Sequence, residues 1–373
     1  MGIRFSDPEG PISLLTSQDD DHTPSTHYFL TSDLCLPFPI KTLRLDSLTE
    51  LSRMGQQVDL VSYPEVPTAG GVAADTKAVF KYWFTHRGMN RPWNELQIWA
   101  RLPRDHPHIV PFDAIVLDHI SGGVIGLTSM YIPGETLLET SSTVRPFRLK
   151  WFQQLLSVVD DLNYRYGVMQ QDIAPRNIVV DAEDNIRIFN FDFSGSINER
   201  SIPERDDSRG VIFTLYEIIT LDMYYRRRIH FTQQEVDALL LKQWVMHPDV
   251  KLDSEVHEFR KVLDAWLDKR KTREYYKADT WLEWPFVPGP PVETKLTYGP
   301  NWQVTGKETM PFIPLYRRDL IRIDEPYLNW ERPASYRLRD LLEKQRPQKE
   351  ICVPTTTTEQ DTGKSEDEVH GNE

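Results

Sequence analysis

Apolar and polar positions alternate with two different periods along this chain, and the period changes part-way. Short β-branched and aromatic runs come first: 43–51, 58–63, 78–84, 114–117 and 126–131. Each is bounded by Gly, Pro or polar clusters, as strands are. Gly122-Gly123 reads as the turn between the last two. One helical stretch interrupts them at 94–102, where Leu96, Trp99 and Ala100 share a face. From 146 the helical period dominates. Trp151, Leu155, Val158, Val159 and Leu162 recur at helical spacing, with Pro146 suited to a first turn and Gly167 to the end. Further apolar-periodic segments cover 211–220, 236–245 and 257–267. Strands followed by helices predict an α+β fold.

The exception within the helical half is the stretch 166–195, YGVMQQDIAPRNIVVDAEDNIRIFNFDFSG. Two β-branched runs, 178–180 and 186–191, flank the polar turn Asp184-Asn185 and read as a hairpin. Asp172 and Asn177 precede the hairpin, and Asn190 and Asp192 end it. A carboxylate and an amide at one end, with further oxygen ligands at the other, suit phosphoryl transfer. That reaction needs a base for the incoming hydroxyl and oxygens to hold Mg²⁺ against nucleotide phosphates.

The motif Asp172-Ile173-Ala174-Pro175-Arg176-Asn177 resembles the catalytic loop of the protein kinase-like superfamily. Asn190-Phe191-Asp192 falls where that family carries its D-F-G metal motif. Earlier elements follow in the family's order: Lys81 in a strand, Glu95 in a helix, then Pro107-His108-Ile109-Val110-Pro111. A lone lysine among apolar strand residues is on base rates a snorkelling edge residue. The ordered set instead favours a Lys81–Glu95 pair positioning nucleotide phosphates, as the resemblance implies. Met130-Tyr131 resembles the hinge that accepts adenine, and Gly55 is the one glycine where the family has its phosphate-covering loop. Asp207, or its neighbour Asp206, resembles the aspartate that braces the catalytic loop from below. The resemblance runs from about Leu43 to Arg270. It implies a two-lobed fold with a mainly β N-lobe and a helical C-lobe. It further implies ATP and Mg²⁺ as cofactors, Asp172 as general base, and Asn177, Asn190 and Asp192 as metal ligands. Arg176 is then a substrate or loop-bracing cation. The acceptor is a hydroxyl of a protein or a small molecule.

Three departures from that pattern carry consequences. Gln170 and Gln171 replace the usual His-Arg, which removes the cation that receives an activation-loop phosphate. The interval from Gly195 to Asp206 is short and lacks A-P-E, shifting the expectation away from a conventional peptide substrate. Asn190 puts a neutral amide where a carboxylate is expected, with Asp192 in F-D-F as the substitute. A second reading therefore stands beside the enzyme: a pseudokinase serving as a nucleotide-binding or scaffold module.

Composition narrows the setting. At 373 residues, with 39% hydrophobic and 27% charged positions, the chain has ample core-forming material. A net charge of −13 argues against duplex nucleic acid as a partner. No apolar run reaches the length of a membrane span, and the N-terminus lacks a secretory layout. Cys35 and Cys352 offer neither metal spacing nor a disulfide framework, which suits a reducing, cytoplasmic or nuclear compartment. Met1-Gly2 with Ser6 fits the loose myristoylation pattern, but so short a pattern recurs by chance and an ordinary polar N-terminus is the favoured reading. The expected organisation is a flexible leader over 1–27, an N-lobe over 28–131, and a C-lobe over 132–279. A Pro- and aromatic-rich strap with a short helix near 335–344 then covers 280–346, and a disordered acidic tail covers 347–373.

Overall fold

The computed structural model describes residues 29–64, 75–83, 89–139, 145–197, 202–273, 278–289, 292–311 and 316–327. The leader with Gly2, the helix expected at 335–344 and the acidic tail expected over 347–373 lie outside the described residues.

The fold is α+β. A six-stranded sheet is built from β1 (Thr42–Arg44), β2 (Thr49–Gly55), β3 (Val58–Pro64), β4 (Asp75–Tyr82), β5 (Phe112–Leu117) and β6 (Val124–Met130). Its strand order is β1-β5-β6-β4-β3-β2. The single strand expected over 43–51 is two strands, because a 3-10 turn at Leu45–Ser47 sends β1 to pair with β5 and β2 with β3. The segment expected as a phosphate-covering loop around Gly55 is strand up to Gly55. Gln56-Gln57 alone forms the turn, and Gln57 rather than the glycine takes a left-handed φ of 61°.

One face of the sheet buries Val61, Tyr63, Phe80, Tyr82 and Ile125 in a small cluster. The other face joins the main core through Phe112, Ile115 and Leu127. Helix α1 (Asn90–Arg101) enters that core with Trp93, Leu96, Ile98 and Trp99. Burying each such side chain stabilises the fold by roughly 1.5–3 kcal/mol, so the helix is held by packing and not by its propensity.

The main core continues through α2 (Leu149–Asp160), α3 (Asp207–Thr220), α4 (Tyr224–Arg228), α5 (Val236–Leu241) and α6 (Val256–Lys271). Pro146 is not in the first turn of α2, contrary to the sequence reading. Phe147 is extended, bonding its N–H to the Lys251 carbonyl at 2.9 Å, and the distant Asp253 Oδ1 accepts from Leu149 N at 2.8 Å. The helix ends in a π-helical turn, Asp161–Arg165, before Gly167 at φ +67°. A Cβ at Gly167 would lie 2.5 Å from the Trp281 ring, so this position is closed to larger residues on two counts.

After α2 come β7 (Val168–Met169), the hairpin β8 (Ile178–Val180) with β9 (Ile186–Ile188), and β10 (Gly195–Ser196), which pairs with β7. Val110 N–H donates to the Ile188 carbonyl, and Ile188 N–H to that of His108, both at 2.9 Å. These bonds tie the chain just before β5 to the hairpin.

The stretch 281–289 is extended, as its prolines dictate. Trp281 Nε1 donates to the Tyr164 carbonyl at 2.9 Å, and Trp93 Nε1 donates to the Pro285 carbonyl at 2.8 Å. Trp284 Nε1 reaches Asn94 Oδ1 at 3.1 Å. The strap thus runs from the end of α2 to the first turns of α1. Beyond it stands a hairpin, β11 (Val292–Tyr298) with β12 (Val304–Pro311), then α7 (Arg317–Arg322). Sequence reading missed this hairpin because the surrounding aromatics and prolines masked its alternating pattern. Among the described residues no helix is long and apolar enough to cross a membrane.

Candidate functional site

Lys81 sits on β4, which is flanked by β3 and β6. Its register opposite Val58 places it beside the Gln56-Gln57 turn, whose Gln57 carbonyl accepts from Tyr82 N–H at 3.1 Å. Glu95 is on the buried face of α1, with its side chain only 1% exposed. Lys81 Nζ lies 2.9 Å from Glu95 Oε1 and 2.8 Å from Oε2. Burial pushes the Glu95 carboxyl above its ordinary value, opposed by the Lys81 ammonium and the Phe191 N–H. Such a pair is costly to break one-sidedly, because a buried charge is left without its partner.

Lys81 Nζ also donates to Asn190 Oδ1 at 3.0 Å and lies 3.8 Å from Asp192 Oδ1. Asn190 Nδ2 donates to Asn177 Oδ1 at 3.2 Å, and Asn177 Nδ2 donates to Asp172 Oδ2 at 2.7 Å. The other Asp172 oxygen accepts from Arg176. Glu95, Lys81, Asn190, Asn177 and Asp172 therefore form one unbroken chain of polar contacts. Four segments far apart in sequence supply it. Met130 ends β6 half exposed, with Tyr131 following, and Gly55 ends β2 across the hairpin from Val58.

The loop bearing Asn190 and Asp192 is fixed by its middle residue. Phe191 is fully buried, its ring 5.4 Å from that of Trp99 on α1, and its N–H donates to Glu95 Oε1 at 3.2 Å. Asn190 has φ +67°, a left-handed conformation that Asn tolerates better than most residues.

Of the adjacent aspartates, Asp207 is the one beneath the catalytic-loop candidate. Its carboxylate accepts from Gln170 N at 2.9 Å, Gln171 N at 2.7 Å and Asn163 Nδ2 at 2.8 Å. Asp206 caps α3, accepting from Ser208 N at 2.7 Å. Burial pushes the Asp207 carboxyl up to about 6 despite those three donors. A raised carboxyl adds stability that is fully present below the ordinary value of 3.8 and lost as pH rises through about 6. The stability gap between wild type and the non-titrating Asp207→Asn should therefore widen by about 1 kcal/mol from pH 7.5 to 5, in urea denaturation. A gap unchanged over that range would show that Asp207 titrates like an exposed aspartate.

Two parts of the site were not legible in the sequence. Gln170 and Gln171 are ties and not mere losses of charge. Gln170 Nε2 donates to the Asn190 carbonyl at 2.7 Å while its Oε1 accepts from Asp172 N at 2.8 Å. Gln171 Nε2 donates to the Phe193 carbonyl at 2.7 Å and its Oε1 accepts from Ile202 N at 2.5 Å. Gln171 holds a left-handed φ of 64°, a strain of order 1 kcal/mol or more that these bonds sustain. Arg226 is the second. Its side chain is half-buried, desolvation lowers its basicity to about 10, and it donates to the carbonyls of Ile173 and Gly210, each at 2.7 Å. A Cβ at Gly210 would lie 2.9 Å from Ile173, so only glycine lets α3 come this close to the loop.

No family model matches this sequence. Among the described residues no group of three or more His, Cys, Asp or Glu is placed to hold a metal ion. The oxygen donors at the centre of the site are Asn177, Asn190, Asp192 and Asp172. Lys81 and Asp192 are each about a quarter to a third exposed, so the cluster opens to solvent on one side.

Proposed function

We propose that the protein is an ATP-dependent phosphotransferase of two-lobed, protein kinase-like build, moving the γ-phosphate of ATP to a hydroxyl. The carrying observation is the contact chain Glu95–Lys81–Asn190–Asn177–Asp172, which joins a phosphate-anchoring cation to a carboxylate facing an open cavity. The sheet with α1 corresponds to the N-lobe of such a fold, and α2 to α6 with the β8–β9 hairpin to its C-lobe.

In this reading Lys81 binds the α- and β-phosphates, its own position set by Glu95. The chain at Met130 and Tyr131 meets the adenine. Gly55 and the Gln56-Gln57 turn cover the phosphates from above. The acceptor hydroxyl oxygen forms a bond to the γ-phosphorus as the bond to the β,γ-bridging oxygen breaks. Its proton passes to Asp172, and ADP leaves. Arg176 and Asn177 orient the Asp172 carboxylate, while Gln170 holds the Asp172 N–H and Asp207 holds the N–H groups of the two residues before Asp172. Asn177, Asn190 and Asp192 suit a hard cation: one carboxylate and two amide oxygens, with the remaining ligands from phosphate. Mg²⁺ held there would neutralise charge on the β- and γ-phosphates.

Asn190 favours a second reading, a nucleotide-binding module with little catalysis, because its neutral amide already serves Lys81 and Asn177. Binding separates both from no nucleotide role. Mg·ATP should stabilise the wild type in thermal melts, and Lys81→Met should remove that shift. An ATP response retained in Lys81→Met would place the nucleotide elsewhere.

A further inference from the structure

A cavity of about 510 Å³ opens directly beside Asp172, between the catalytic-loop candidate, the start of α3, and α4 with the segment after it. Its size falls within the range of small-molecule sites. Arg176, Arg205, Arg209, Arg226, Arg227 and Arg228 line it, and no lysine does. In a chain of net charge −13 this is a local reversal of sign. The carboxylates of the lining do little to cancel it. Asp172 is engaged by Arg176 and Asn177, and Asp206 caps α3, leaving Glu204 at the rim.

The arginines divide by what already occupies them. Arg226 is structural, spent on backbone carbonyls and on Glu217 at 3.2 Å. Arg205 is different. Its guanidinium lies 4.2 Å from the Phe193 ring centre and 4.5 Å from that of Phe231. Two aromatic rings thus flank it, while its N–H groups meet no protein acceptor among the described residues. Arg209 gives one N–H to the Gln234 carbonyl at 2.5 Å and keeps a buried Nε without a partner. Arg227 and Arg228 have no ion pair among the described residues. Guanidinium forks left unspent beside a proton-accepting carboxylate, two of them half-buried (Arg205, Arg209) and Arg227 exposed, call for an anion with many oxygens. A single carboxylate satisfies one fork, whereas a phosphate group offers enough oxygens for several.

We propose that the acceptor is a small phosphorylated alcohol or sugar, whose existing phosphate is held by Arg205, Arg209 and Arg227 so that a free hydroxyl faces Asp172. This rests on the phosphotransferase reading and adds the substrate class to it. The step is the one already written, with the new O–P bond on the free hydroxyl and the first phosphate unchanged. The short interval between Gly195 and Asp206 leaves little chain from which to build a groove for an extended peptide.

The test uses the full chain and compares binding of inorganic phosphate, glycerol 3-phosphate and fructose 6-phosphate with glycerol and fructose, by calorimetry at millimolar ligand. At least one phosphorylated probe should bind, the neutral compounds should not, and Arg227→Glu and Arg205→Ala should each weaken binding about tenfold or more. Arg227 is exposed on a short surface helix, so its variant carries the result should Arg205→Ala fail to fold. Both variants should retain Mg·ATP binding. Absence of binding by all three phosphorylated probes, or binding unchanged in Arg227→Glu, would overturn the anion site whatever the nucleotide result. Anion binding in a wild type that does not bind Mg·ATP would instead overturn the phosphotransferase reading, and the acceptor role with it. Transfer from ATP is then followed by phosphorus NMR across phosphorylated sugars, their neutral parents and a phosphoserine peptide. Preferred transfer to a neutral alcohol or to the peptide, insensitive to Arg227→Glu, would also overturn the proposal.

Discussion

Asp172→Asn should lower the rate of phosphoryl transfer by roughly 10²–10⁴-fold, the usual share of a positioned proton acceptor. The amide keeps the shape of the side chain, so Asn177 and Gln170 still have their partners in the loop backbone. What is lost is the anion that faces Arg176 and that the proposed mechanism uses to accept the hydroxyl proton. ATP affinity should change little, because the proposed phosphate anchor is the Lys81–Glu95 pair and neither residue touches Asp172. Initial rates of ADP release, read beside nucleotide binding by the same preparation, check both halves. Turnover equal to wild type would mean that another group takes the proton and that the loop has been misassigned.

The second large effect concerns Asp192. Among the described residues, Asp192 and Glu95 are the carboxylates within ion-pair distance of Lys81, and Glu95 is buried and committed to it. Asp192→Ala should abolish the Mg²⁺-dependent part of ATP binding and reduce turnover by about 10²–10³-fold. That corresponds to the several kcal/mol a metal supplies to a transferring phosphoryl group. Asn190→Asp should act in the opposite direction. A second anion strengthens the hold on the cation, and the Lys81 ammonium 3.0 Å away stabilises the new charge. Titrating Mg²⁺ at fixed ATP in the three proteins measures this directly. Tight Mg·ATP binding that survives Asp192→Ala would leave Asn177 and Asn190 as ligands and remove Asp192 from the site. A wild type indifferent to Mg²⁺, with Asp192→Ala silent, would favour the binding-module reading.

The sequence by itself determined which elements exist near the site. Period-two runs announced most of the sheet, β8 and β9 were visible around Asp184-Asn185, and α3 was legible from its apolar run. These are local facts, because periodicity and turn chemistry act within a few residues. Asp172, Asn177 and Asp192 stood out around the hairpin for the same reason, whereas Lys81 and Glu95 were singled out only by the resemblance of their order to the kinase-like pattern, since a lone strand lysine by itself reads as an edge residue. The choice between Asp206 and Asp207 was not local. It depended on which carboxylate meets the N–H groups of Gln170 and Gln171 and the Asn163 amide, and only packing of α3 against the loop decides that. The start of α2 likewise shifted to Leu149 because Asp253, about a hundred positions away, caps it. The arginine-lined cavity is the fullest case. Along the chain Arg205, Arg209 and Arg227 belong to no motif. They line one cavity beside Asp172 only because the turn before α3, α3 itself and α4 pack together there with Phe193 and Phe231 beside Arg205, and long-range packing of that kind leaves no signature in local sequence.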